Sequence, residues 1–195
     1  RSMLLGQADR KTVKMLYPHY PEQEVLEIDT QLSDRLGQYR SGGYSRCAEG
    51  INAFPEFVEF SQADSKLTIP KGRYILSGNL VIPSGCSLFI SEGVHLLLKN
   101  TAFVVSRSPI FFQGTPEQPI YVESISKNGG GILVINASQP SELRHVNFKG
   151  LSNGNDPTRF LSGAVTFYRS DVAFESTTFQ SNVAGDDYLN VIASQ

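Results

Sequence analysis

The chain has 195 residues, long enough for one substantial hydrophobic core. Its 17 basic and 19 acidic residues leave a formal charge of −2 with no Lys/Arg cluster, which argues against a dedicated nucleic-acid or anionic-membrane surface. No apolar run approaches the ~20 residues that span a bilayer, and no signal peptide is visible.

Residues 1–60 carry helical grammar. Gln7–Tyr17 reads as a short helix ended by Pro18 and Pro21. Glu22–Tyr39 spaces Val25, Ile28, Leu32, Leu36 and Tyr39 three or four apart, an amphipathic stripe that Gly37, Gly42 and Gly43 break. This segment is expected to be an N-terminal helical cap or linker, and a partner-binding helix is the other reading. Arg1-Ser2 ahead of Met3 is consistent with a cloning scar. The two cysteines, Cys47 and Cys86, match no metal pattern. Two reduced thiols are weighed slightly above a disulfide tying this segment to the strands around Cys86, a bridge that export would permit.

From residue 61 onward the pattern changes. Apolar clusters recur at Leu67–Ile69, Tyr74–Leu76, Leu80–Ile82, Leu88–Ile90, Leu96–Leu98, Phe103–Val105, Ile110–Phe112 and Ile120–Val122. Pro70-Lys71-Gly72, Ser77-Gly78-Asn79, Pro83-Ser84-Gly85 and Glu92-Gly93 punctuate them, so each is a short strand and none joins into a helix. Further along, Ile132–Ser138, Ala164–Ser170 and Tyr188–Ser194 align as ILVINAS, AVTFYRS and YLNVIAS, each closing on serine. This alignment puts Leu133, Val165 and Leu189 in one inward column and Ile135, Phe167 and Val191 in another. Leu143 and Phe148 likewise correspond to Phe174 and Phe179. The repeat length suits one multi-strand turn of a solenoid, and the two-residue hairpin loops of a sandwich are few. The expectation is an all-β parallel β-helix over residues 61–195. Its last strand runs to the end of the sequence, which suggests a fragment of a longer protein or a coil completed by a partner chain.

Val81-Ile-Pro-Ser-Gly-Cys-Ser-Leu-Phe-Ile-Ser-Glu-Gly-Val94 and Gly114-Thr-Pro-Glu-Gln-Pro-Ile-Tyr-Val122 carry a resemblance. With its Pro-x-Gly turn, alternating strand, Gly-Val turn and Gly-Thr-x-x-x-Pro-Ile strand, the chain resembles right-handed parallel β-helix proteins of the pectate-lyase-like class. That resemblance implies a right-handed solenoid with a capped N-terminal end. It does not choose among activities, because the class hosts lyases, hydrolases, epimerases, adhesins and inert surface proteins.

Candidate chemistry is sparse. Asp186 and Asp187 follow Gly185 at a turn, where adjacent carboxylates serve as an acid–base pair or bind calcium with nearby carbonyls. Gly-Asp-Asp also resembles a motif of polygalacturonase-type β-helix hydrolases, which implies catalytic roles for Asp186 and Asp187. That family pairs it with Asn-Thr-Asp-Gly on the preceding coil, where this chain reads Leu161-Ser162-Gly163-Ala164. The long segment Gly150–Ser162 is read as an excursion from the solenoid, offering Asp156 and Arg159 to a ligand. Tyr168 and Tyr188, with Asn190, are read as outward groups able to stack on or hydrogen-bond a sugar in a chain without Trp. His145 is expected to face outward if Val146 and Phe148 face in, and His95 and His19 are read as ordinary surface histidines.

The sequence therefore favours a non-catalytic surface or scaffold module, secreted or displayed at the cell surface, presenting a rigid face to a carbohydrate or a protein. The alternative is a polysaccharide-active hydrolase or lyase completed by further coils. No cofactor is required by either, calcium being the one ion considered, and an oligomer is compatible with both.

Overall fold

In this computed structural model the described residues are 54–126, 129–153, 163–181, 183 and 187–194. The chain divides into two compact units, Arg1–Gly43 and Tyr44–Gln195, and every described residue belongs to the second. The expected helices at Gln7–Tyr17 and Glu22–Tyr39 lie outside the described residues.

After β1 (Glu59–Ser61) come strands in groups of three. The first coil is β2 (Lys66–Ile69), β3 (Arg73–Leu76) and β4 (Leu80–Ile82). The second is β5 (Ser87–Ile90), β6 (His95–Leu98) and β7 (Val104–Ser106). The third is β8 (Ile110–Gln113), β9 (Ile120–Ser124) and β10 (Ile132–Ile135). The fourth is β11 (Ser141–Arg144), β12 (Val146–Lys149) and β13 (Gly163–Tyr168). The fifth is β14 (Val172–Glu175), β15 (Thr178–Gln180) and β16 (Asp187–Ile192).

From β2 onward each strand pairs with the third strand before or after it, which stacks the coils into three sheets. Sheet A has the order β1-β2-β5-β8-β11-β14, sheet B β15-β12-β9-β6-β3, and sheet C β16-β13-β10-β7-β4. All pairings are parallel except β1 with β2, where Glu59 opposes Thr68 in an antiparallel edge. This is the strand arrangement of a β-helix.

Alternation explains why the strands sit as they do. Leu67 and Ile69 are fully buried between half-exposed Lys66 and Thr68, and Leu88 and Ile90 repeat the pattern one coil on. Ladders such as Ile69–Ile90–Phe112–Leu143 and Leu96–Val122–Phe148 fill the interior. Each buried Leu, Ile or Phe contributes about 1.5–3 kcal/mol. The turns hold because Gly85 (φ 83°) and Gly93 (φ 68°) occupy left-handed backbone that a Cβ disfavours.

One expected register is off by a residue. Val165 opposes Leu189 and Phe167 opposes Val191 as anticipated, but β10 pairs Ile132 with Val165 and Val134 with Phe167. Ile132 and Val134 therefore point inward, and Leu133 faces out opposite Thr166. All four residues of β10 are apolar, so alternation within the strand does not tell its two faces apart. The closing serines follow the same shift. Buried Ser170 accepts a hydrogen bond from the Ala137 N–H (3.0 Å), so Ala137, and not Ser138, stacks beneath it. Ser194 Oγ donates to the Ser170 carbonyl at 2.9 Å, which carries the ladder into the fifth coil.

Cys86 is buried at 2 % exposure and disulfide-bonded, contrary to the reduced state weighed more heavily from sequence. The sequence offers it one intramolecular partner, Cys47.

Candidate functional site: the outward face of sheet B

Inward positions of sheet B are apolar apart from Ser124 at the end of β9, and its outward positions fall into two columns. The first runs Arg73, His95, Tyr121, Asn147, Thr178, one residue per coil. The second runs Ile75, Leu97, Glu123, Lys149, Gln180. Parallel neighbours lie ~4.8 Å apart, so the first column is a rigid ladder of polar and aromatic groups, whereas the second begins with aliphatic Ile75 and with Leu97, which is buried at 4 % exposure. An open recess of ≈ 320 Å³, lined by Phe54, Ile75, Ser77 and Asn79 among others, adjoins its first-coil end.

The chemistry concentrates on β6 and β9. His95 Nε2 lies 2.9 Å from Glu123 Oε2, diagonally across the two strands, with the side chains 28 % and 25 % exposed. The His95 ring also tilts against Tyr121, centroids 5.5 Å apart, and Tyr121 is 40 % exposed. The carboxylate and the phenol ring hold the imidazole from two sides, which orients a donor or acceptor at the surface. Further along, Thr178 Oγ1 donates to Asn147 Oδ1 at 2.7 Å, which leaves the Asn147 amide N–H groups for a ligand. Among the described residues, no three His, Cys, Asp or Glu side chains lie close enough to hold a metal ion.

Of the residues singled out from sequence, the described ones lie on several elements. His145 sits at the corner between β11 and β12 with φ 48°, half-buried, between buried Leu143 and Val146. Its N–H donates to the Glu175 carbonyl and its own carbonyl accepts from Ile120, both at 2.9 Å, so the backbone stacks the corner. Asp187 is exposed and opposes Gly163, a position without a carboxylate. The Asn190 amide packs over Gly163, where an added Cβ would meet Asn190 Cγ at 2.9 Å. Asp186, Asp156 and Arg159 lie outside the described residues.

Tyr168 and Tyr188 do not form one platform. Tyr168 opposes Ile192, four residues beyond Tyr188 on β16, a separation of ~13 Å along the strand. Tyr168 has the Arg169 guanidinium 5.4 Å from its ring. Tyr188 packs edge-on against Phe179 at 5.5 Å, and its Oη accepts from the Leu151 N–H at 3.3 Å. Burial pushes the Tyr188 phenol up to about 12, partly offset by that hydrogen bond. Tyr188 is thus a packing residue of the fifth coil.

His95, Tyr121 and Glu123 escape a reading strand by strand because each looks ordinary in its own strand. The column alignment applied to Ile132–Ser194, extended back to the Gly93-Val94 and Pro119-Ile120 strand starts, brings them together. Compared with known proteins, the chain matches no family model, no curated protein and no solved structure.

Proposed function

We propose that the protein is a non-catalytic β-helix surface module that holds a glycan against the outward face of sheet B. The observation that carries this reading is the continuous ladder Arg73–His95–Tyr121–Asn147–Thr178, with Glu123 on His95. Fixed planar donors and acceptors beside an exposed phenol ring suit sugar hydroxyls and the apolar face of a pyranose. The coils wind right-handed in this reading, as connections between parallel strands overwhelmingly do, and as the resemblance to the pectate-lyase-like class implies. A secreted or cell-surface setting is supported by the Cys86 disulfide.

A second reading is favoured by one contact. The 2.9 Å His95–Glu123 pair is a general acid–base candidate, which would make the same face the site of a polysaccharide-active enzyme. A glycan array run with the parent and Tyr121→Ala, together with a reducing-end release assay, separates the two. Binding that Tyr121→Ala removes, with no sugar released, supports the module. Release that His95→Gln and Glu123→Gln both abolish supports the enzyme. Neither binding nor release sinks the glycan assignment, and a protein ligand for the face then becomes the reading to test.

A further inference from the structure

We propose that the glycan held by sheet B carries an acetamido group, and that the recess at the first-coil end of the ladder is the subsite for it. This rests on the glycan reading above and adds the class of sugar, an N-acetylhexosamine. Ile75 follows Arg73 by two residues on β3, ~7 Å along the same face, so a pyranose resting beside Arg73 and His95 brings a ring substituent over it. Ile75 is 54 % exposed, an aliphatic side chain on a face whose other exposed groups are polar or phenolic.

Beyond Ile75 the recess holds ≈ 320 Å³, at the low end for a small-molecule site, which suits a single substituent. Phe54, Pro55 and Ile75 form its apolar wall and Ser77 and Asn79 its polar one, and no ionisable side chain lines it. Asn79 Oδ1 accepts from the Phe103 N–H at 3.0 Å, which anchors the amide. Among the described residues no acceptor takes the Asn79 NH2 group, so its donors are open to a ligand.

That combination selects among substituents. A hydroxyl leaves the apolar wall uncovered, and a carboxylate, sulfate or ammonium finds no counter-charge in the recess. An alkyl chain gives the Asn79 NH2 nothing to donate to. An acetamido group matches each part: its methyl covers Ile75 and Phe54, its carbonyl accepts from Asn79 Nδ2, and its N–H donates to Ser77 Oγ. An O-acetyl ester shares the methyl and the carbonyl but has no N–H for Ser77.

Paired ligands test this by isothermal titration calorimetry. Chitotetraose and cellotetraose share one backbone and differ in carrying acetamido or hydroxyl on each ring, and N-acetyllactosamine differs from lactose in the same way on one ring. The acetylated member of a pair is expected to bind on the order of tenfold tighter, from one buried methyl and one hydrogen bond. Asn79→Asp keeps an acceptor for the Phe103 N–H but loses the donor, so it is expected to bring the acetylated member down to its counterpart's level. Its melting should match the parent, because Asn79 is exposed. On the glycan array, bound glycans are expected to contain N-acetylhexosamine, and mild alkali, which strips O-acetyl esters, to leave binding intact. Equal affinity within both pairs, a preference that survives Asn79→Asp, bound glycans that lack N-acetylhexosamine, or binding lost to alkali each overturns the acetamido subsite while the glycan reading stands. An array on which nothing binds removes the glycan reading itself, and this subsite with it.

Discussion

Truncating Phe148 to alanine tests the interior most directly. This ring is fully buried in the fourth coil, tilted against Phe112 at 6.4 Å and stacked on Phe179 at 5.2 Å and 17°. It has a coil on each side, so its neighbours are held and cannot collapse into the space left behind. Lost transfer energy plus the cavity come to about 3–5 kcal/mol. Phe179 carries the same ring and shares the same stack, but it lies in the fifth coil and is only partly buried. Phe179→Ala should therefore cost about half as much, roughly 1.5–2.5 kcal/mol. Urea unfolding followed by far-UV circular dichroism gives both values, and the double mutant should show ring–ring coupling of about 0.5–1.5 kcal/mol. Losing Phe148 also loosens the fifth coil from the fourth, so its transition should broaden, as expected where stability is a sum over neighbours. Equal costs for the two truncations, or a Phe148→Ala loss under ~1 kcal/mol, would refute the stacked-coil energetics.

Four further outcomes rest on particular contacts. An added Cβ at Gly130 would collide with the Ala102 carbonyl oxygen, while Gly78 has nothing within 4 Å. Gly130→Ala should thus cost about 1–3 kcal/mol or more, and Gly78→Ala should be neutral or slightly stabilising by melting temperature. Val134→Asp, at an inward position, should abolish cooperative unfolding of the later coils, whereas Leu133→Asp should be tolerated much better; the reverse order would restore the register anticipated from sequence. Tyr188 titrates at about 12 when folded against 10.0 unfolded, so its stabilisation is intact below pH 10 and lost as pH rises from 10 to 12. Solvent screening of the half-exposed ring limits that loss to about 1 kcal/mol, and Tyr188→Phe should flatten this part of the alkaline unfolding curve relative to the parent. Breaking the Cys86 disulfide should cost about 2–4 kcal/mol, so dithiothreitol should lower the parent's melting temperature to that of Cys86→Ser and leave the variant unmoved.

The candidate site was legible only in pieces. His95, Tyr121 and Glu123 each occupy an outward position that alternation alone assigns, yet nothing local says that positions 95, 121 and 123 share one surface. Gly-Asp-Asp is a conspicuous string, but nothing local says that Asp187 stands opposite Gly163 across the ladder. Tyr188 looked outward by strand phase, yet the Phe179 ring packs against it and the Leu151 N–H reaches its oxygen.

What the sequence determined by itself was the class of structure. Short alternating strands between Pro and Gly turns, too brief for helices and repeating at one coil's length, require parallel stacking, because only neighbouring coils can bury such strands. The pairs Leu143–Phe174 and Phe148–Phe179 followed from that repeat. Only the tertiary structure decided the register of β10, the bonding of Cys86 and which outward residues meet. A one-residue slip exchanges the two faces of a strand, and when both faces are apolar the choice rests on how Ile132 packs between Val104 and Val165, in the coils before and after it.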